Sequence, residues 1–183
     1  MKKESKNFAF HKIKIDDIKL ILKKRPIDSH KRTFGHALMI SGSKGMMGAC
    51  VLSSEAILRS GAGLLTIYTP KAGELIVQTS IPEAMVIVDS NEDHIQNFPD
   101  LSKYSAIGVG PGIGTASETK NAIADFINHV SIPTVFDADG LNIISQNKEL
   151  LQHIPHESVL TPHEREFERL VGSFDNINDR TAL

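Results

Sequence analysis

The chain of 183 residues predicts an α/β sandwich on a mostly parallel central sheet, and two observations carry that prediction. After residue 36, short apolar runs rich in β-branched residues alternate with stretches of helical spacing. That is the pattern of strands buried on both faces and joined by helical crossovers. Several runs also end in loops bearing Gly, Asp or His. In a parallel sheet all such loops emerge at one edge, where ligands bind.

Six runs qualify as strands: residues 37–41, 64–68, 84–88, 105–109, 133–136 and 158–160. Between the first two, residues 48–60 read as a helix. Ala49, Leu52 and Ala56 give it an apolar stripe, Glu55 and Arg59 pair four residues apart, and Gly61 stops it. A second helix is expected to start at Thr115, which has capping-box spacing to Glu118, and to bury Ala122, Ile123 and Phe126. A third opens with Thr161 as N-cap, Pro162 at the first helical position and Glu164 at the third; Phe167, Leu170 and Val171 form its buried stripe. Residues 13–24 read as a peripheral helix capped near Asp16 or Asp17, and one more helix starts near Asn176. The expected organisation is a peripheral segment with one helix over residues 1–29, then the N-terminal part of a larger domain over residues 30–183.

Composition excludes several classes of function. Hydrophobic residues make up 40% and charged residues 23%, ordinary for a globular protein. Aromatics are only 5% with no Trp, which argues against stacking platforms for single-stranded nucleic acid. The net charge of -2 argues against a nucleic-acid binder generally, although the first 32 residues are basic. No signal-peptide core follows the positive start and no run is long enough to span a bilayer, so a soluble, cytoplasmic protein is expected. The single cysteine, Cys50, excludes an internal disulfide framework and sits where a packed core thiol belongs. No zinc spacing and no nucleophile elbow occur.

Four loops carry the candidate chemistry. Ser41 to Ala49 contains Gly42, Gly45 and Gly48 between a strand and a helix; its spacing is neither a dinucleotide fingerprint nor a P-loop. Gly108, Gly110, Gly112 and Gly114 alternate at a second strand-to-helix junction, which would let backbone amides cradle a ligand. Asp137 and Asp139 follow a third strand; if the backbone stays extended they share a face, a pairing suited to Mg²⁺ with phosphates or to substrate hydroxyls. Asp139 alone could instead cap the next helix. His163 sits at the start of the last helix, where the dipole favours neutral imidazole.

In order along the chain, these motifs resemble one family. His30-Lys31, Thr33 and Gly35 are followed by Gly42-Ser43, Gly48-Ala49, Arg59 to Leu64 and Pro70. Pro82 to Met85, Gly110 to Gly114, Asp137 to Asn142, Leu160 to His163 and Glu166-Phe167 continue the series. The chain is identified over about residues 30–172 as similar to the ADP/ATP-dependent NAD(P)H-hydrate dehydratases. The resemblance implies a ribokinase-like three-layer sandwich, here incomplete, and dehydration of hydrated NADH or NADPH at the expense of ADP or ATP with Mg²⁺. It implies that Ala49, Gly112 and His163 contact the hydrated nicotinamide nucleotide, with Asp137 nearby on substrate or Mg²⁺. It also implies a homo-oligomer. The family's nucleotide-binding segment and its catalytic Gly-Asp motif do not occur before Leu183, so a partial substrate site without a complete catalytic apparatus is expected. Two other readings stay open: a kinase of the same fold acting on a hydroxymethyl vitamin precursor, and a non-catalytic nucleotide-binding module.

Overall fold

The computed structural model describes residues 13–22 and 24–172; the helix expected near Asn176 lies outside them. The described residues fall into two compact units, one before His30 and one from His30 onward. In the first, α1 (Ile15–Ile21) starts at Lys14, whose amide donates to the Asp17 carboxylate at 2.7 Å. It is shorter than expected and buries none of its residues.

The second unit holds six strands: β1 (His36–Ile40), β2 (Leu64–Thr69), β3 (Met85–Val88), β4 (Ala106–Val109), β5 (Thr134–Phe136) and β6 (Val159–Leu160). Every pairing is parallel and the order across the sheet is β3-β2-β1-β4-β5-β6. The helices are α2 (Met47–Arg59), α3 (Glu74–Ser80), α4 (Ser117–His129), α5 (Asp139–Gln146) and α6 (Glu164–Val171). From β1 the chain winds outward to β3, then returns to the middle at β4 and winds the other way. Right-handed crossovers therefore put α2 and α3 on one face and α4, α5 and α6 on the other.

Two cores confirm this layering. Met39, Leu65 and Ile67 point toward Met47 and Cys50 of α2 and Val77 and Ile81 at α3. Their neighbours Leu38, Ile40, Tyr68, Ile107, Val109 and Phe136 point the opposite way, against Ile123, Phe126 and Ile127 of α4, Leu141 and Ile144 of α5 and Leu170 of α6. Strand alternation sorts adjacent residues into different cores. Fully burying a side chain such as Phe126 stabilises by about 1.5–3 kcal/mol.

Three local expectations need correcting. The stripe chosen for α2 was the wrong one: Leu52 is 71% exposed, while Met47, Cys50 and Ser54 face the core. Helix α4 starts two residues late with Ala116 as N-cap, so no capping box forms at Thr115; the Ser117 hydroxyl instead donates to Glu118 at 2.8 Å. In α6 the cap is His163, not Thr161, because the Thr161 hydroxyl is held by Phe136 and Asp137. Val171 is 43% exposed, so only Leu170 of that stripe is fully buried. The Glu55–Arg59 pair forms at 3.2 Å, and Gly61 follows the helix at φ 103°.

Among the described residues, no helix covers the β4–β6 half of the α2 face. Val135 and Val159 are 42% and 51% exposed there, and the cavity between this sheet face and α2 has a volume of about 560 Å³. Ala37, Ala56, Ala106 and Gly108 line it together with larger apolar residues such as Met39 and Ile57.

Candidate active site

Strand register sets the site. Ile40 pairs with Val109, Val109 with Phe136, and Phe136 with Leu160. Each of these is the last residue of its strand, so Ser41, Gly110, Asp137 and Thr161 leave the sheet abreast. Three amides continue the ladder past the strand ends: Gly110 donates to Ile40, Asp137 to Val109 and Thr161 to Phe136, at 3.2, 3.0 and 3.1 Å. With strands about 4.8 Å apart, the four loops span about 14 Å of rim. The winding reverses between β1 and β4, and in open α/β sheets ligands bind at that switch point.

The two glycine loops meet across this reversal. Gly42 donates to the Pro111 carbonyl at 2.9 Å, and the buried Ser43 hydroxyl donates to the Gly112 carbonyl at 2.8 Å. Gly112 has φ 66°, and a Cβ there would lie 2.7 Å from the Met46 carbonyl oxygen and 3.1 Å from the Ala49 methyl. Only glycine meets both demands, and the contact brings Ala49 and Gly112 together. Outside them, Asp93 supports the first loop: its backbone carbonyl accepts from the Lys44 amide at 2.8 Å and its carboxylate pairs with the Lys44 Nζ at 2.9 Å.

The third loop does not stay extended. Ala138 has φ 48°, so the chain turns sharply and the two acids part. Asp137 accepts from the Thr161 hydroxyl at 2.9 Å. Asp139 begins α5, yet its Oδ2 accepts from the Gly114 amide at 2.9 Å rather than capping its own helix. It therefore fastens the second glycine loop to the third, a charge-assisted bond worth roughly 1.5–3 kcal/mol. Gly110 is pressed so closely on this loop that a Cβ would sit 1.8 Å from the Asp137 carbonyl oxygen.

His163 caps α6. Its Nδ1 accepts from the amides of Arg165 and Glu166 at 3.2 and 3.5 Å. Nε2 faces the buried Glu166 carboxylate at 3.3 Å, and Glu166 also accepts from the His163 amide at 3.0 Å. The ring is 63% exposed. Both ring nitrogens thus face the start of its own helix, leaving the ring's exposed surface for a ligand.

Of the four residues singled out in the sequence, Ala49 and Gly112 touch, and Asp137 is joined to them through Gly110. His163 stands two residues beyond the Thr161 that holds Asp137. Asp137, with Pro111 and Thr161, reaches the end of the open cavity on the sheet face; Ala49, Gly112 and His163 line neither that cavity nor a second one of about 560 Å³ beside α5 and α6. Sequence reading missed Ser43, Thr161 and Asp139 as fasteners. The available signal was a hydroxyl or carboxylate next to a glycine or acid at a strand end. Cys50 is fully buried beside Met47, and burial raises its thiol pKa, as fits a core residue. No helix among the described residues is long and apolar enough to cross a membrane.

Comparison with known proteins gives a concordant result. The NAD(P)H-hydrate dehydratase family (Carb_kinase) matches residues 37–182. The chain is 33% identical over 165 residues to the bifunctional NAD(P)H-hydrate repair enzyme Nnr of Synechocystis, covering 87% of this chain and 31% of that protein. It is 33% identical over 151 residues to the ADP-dependent (S)-NAD(P)H-hydrate dehydratase of Lactiplantibacillus plantarum, covering 81% and 53%. Among solved structures, the ADP/ATP-dependent NAD(P)H-hydrate dehydratase of Bacillus subtilis, co-crystallized with ATP/Mg²⁺, superposes with a TM-score of 0.67 at 29% identity, over 86% of this chain and 54% of that one. A ribokinase-like superfamily protein of Enterococcus faecalis reaches 0.72 at 27% identity, over 87% and 58%. The chain thus spans between about a third and about a half of the length of the curated relatives it matches. With its sheet order, its paired glycine loops and a match over residues 37–182, the chain belongs to the NAD(P)H-hydrate dehydratase family, on a ribokinase-like fold.

Proposed function

We propose that the rim formed by the loops at Ala49, Gly112, Asp137 and His163 binds hydrated NADH or NADPH, and that the chain contributes this substrate half of an ADP- or ATP-dependent dehydratase. The observation that carries the reading is the register that sends Ser41, Gly110, Asp137 and Thr161 out abreast at the switch point. Glycine loops there let the ligand approach the backbone closely, and the Ala49–Gly112 contact fixes the floor. The exposed ring of His163, oriented by two amides at Nδ1, offers a flat surface at the other end.

The nucleotide cofactor would supply the phosphoryl group that turns the substrate hydroxyl into a leaving group. Among the described residues no group of three or more His, Cys, Asp or Glu could hold a metal ion. Asp137 would hold Mg²⁺ only as a single carboxylate ligand, with phosphate oxygens and water completing the shell, as is usual for that ion. Thr161 keeps that carboxylate oriented toward the rim. In this reading the chain works in the cytoplasm, as a homo-oligomer.

The test is calorimetric titration of the chain with hydrated NADH and hydrated NADPH, followed by addition of ADP, ATP and Mg²⁺. Binding without return of the nicotinamide absorbance is expected. Gly112→Val should weaken binding at least tenfold, since its side chain would occupy the space of Met46 and Ala49. Turnover by the wild-type chain alone would refute the partial-site reading, and absence of binding would refute the substrate assignment.

A further inference from the structure

A second cavity, of about 560 Å³, runs from Thr115 and Asp139 at the loops along α5 and α6, and all of its lining side chains are polar: Thr115, Asp139, Asn142, Ser145, Gln146 and Arg169. Arg169 is its one cation. The guanidinium is exposed and donates to the Asn142 side-chain oxygen at 2.5 Å, a neutral partner. The one carboxylate in the lining, Asp139, is fixed in place, accepting from Gly114 at 2.9 Å and from Asn142 at 3.4 Å, and a phosphate would take Arg169 on the side away from it. Ser145 donates to the Asn142 carbonyl. Thr115 and Gln146 bring further donors to the same space. Thr115 is free for this because the capping role that its spacing suggested is not taken up.

We propose that this cavity is the seat of a phosphate group of the dinucleotide substrate, gripped by Arg169; the inference rests on the reading above and deepens it. Arginine's planar fork matches phosphate oxygens with two parallel bonds. Arg169 lies six residues after His163 on one helix, about 9 Å along its axis. A dinucleotide whose nicotinamide end lies at the His163 and Gly112 loops extends far enough to bring a phosphate there. Two phosphates could take the seat: the pyrophosphate bridge common to both dinucleotides, or the 2′-phosphate that only hydrated NADPH carries.

The bland alternative is that Arg169 merely ties α6 to α5 through Asn142. Titration of hydrated NADH, hydrated NADPH and inorganic pyrophosphate into wild type, Arg169→Ala, Arg169→Lys and Asn142→Asp separates these. Arg169→Ala should weaken binding 10- to 100-fold and Arg169→Lys by less. Loss for both dinucleotides assigns the pyrophosphate, and loss for hydrated NADPH alone assigns the 2′-phosphate. Asn142→Asp pairs Arg169 with a carboxylate but also sets that carboxylate beside Asp139, so it should weaken binding while its melting temperature is recorded alongside; Arg169→Lys, which keeps the charge and the stem, keeps the test informative if Arg169→Ala fails to fold. Affinity within twofold of wild type in Arg169→Ala or Asn142→Asp would overturn the proposal. Should wild type bind neither dinucleotide yet bind pyrophosphate through Arg169, the substrate reading fails and only the anion seat remains; no binding of any probe sinks both.

Discussion

Gly110 shows how little freedom the rim leaves at a single residue. Its φ is 130°, and a methyl group would fall 1.8 Å from the Asp137 carbonyl oxygen, inside any permitted contact. Backbone must move to admit it, and that backbone carries Asp137. Gly110→Ala should therefore lower unfolding stability by about 3 kcal/mol or more, combining unfavourable φ with overpacking; urea denaturation measures it. A loss below 1 kcal/mol would mean the two loops are far looser than described. Glycine strings and strand-end acids were legible in the sequence because their local chemistry is distinctive. Their fasteners were not. Ser43 reaches Gly112 and Asp139 reaches Gly114 across 69 and 25 residues, and nothing local announces such pairings. The same holds for Thr161: its spacing suits a helix cap, but a carboxylate and a carbonyl from β5 take its hydroxyl instead.

Among elements, the loop after β3 holds a buried carboxylate. Asp89 is 1% exposed and accepts from Asn91, Gln96 and Asn97 amides at 2.9 Å and from the Tyr68 hydroxyl at 2.8 Å. Burial pushes its pKa up, but these four donors outweigh that and hold it below the usual carboxylate value. The ionised form is the one that stabilises the fold. Its contribution is complete above the unfolded value near 3.9 and is lost as pH falls through the lower folded value. Stability should accordingly decline below about pH 4, and Asp89→Asn should flatten that decline while costing about 2–3 kcal/mol at neutral pH. Denaturation midpoints collected from pH 3 to 7 would test this; a mutant that keeps the acid limb assigns it elsewhere. Element types were read correctly for all six strands because apolar, β-branched runs of that length admit few alternatives. Helix starts were less legible. Several hydroxyls compete for each cap, and tertiary contacts decide which one wins. In α2 the error was of face: the helix is apolar on two sides, and the sequence alone does not say which side meets β1 and β2.

For the whole molecule, alternation of strand and helix foretold a parallel sheet, and hence a common edge for the loops. It did not foretell the strand order, since either direction of winding satisfies the same pattern; only the register placed β4 beside β1. The half-covered sheet also has a colloidal consequence. Val135 and Val159 present branched side chains to solvent beside the alanine-lined cavity, where a parallel sheet is normally sealed on both sides. Such a surface adsorbs anilinonaphthalene dyes and promotes clustering as concentration rises. Replacing Val135 with Ser and Val159 with Thr should quench dye fluorescence and narrow the sedimentation profile, with stability changed by no more than about 0.5 kcal/mol. Unaltered fluorescence would show that this patch is sheltered from solvent after all.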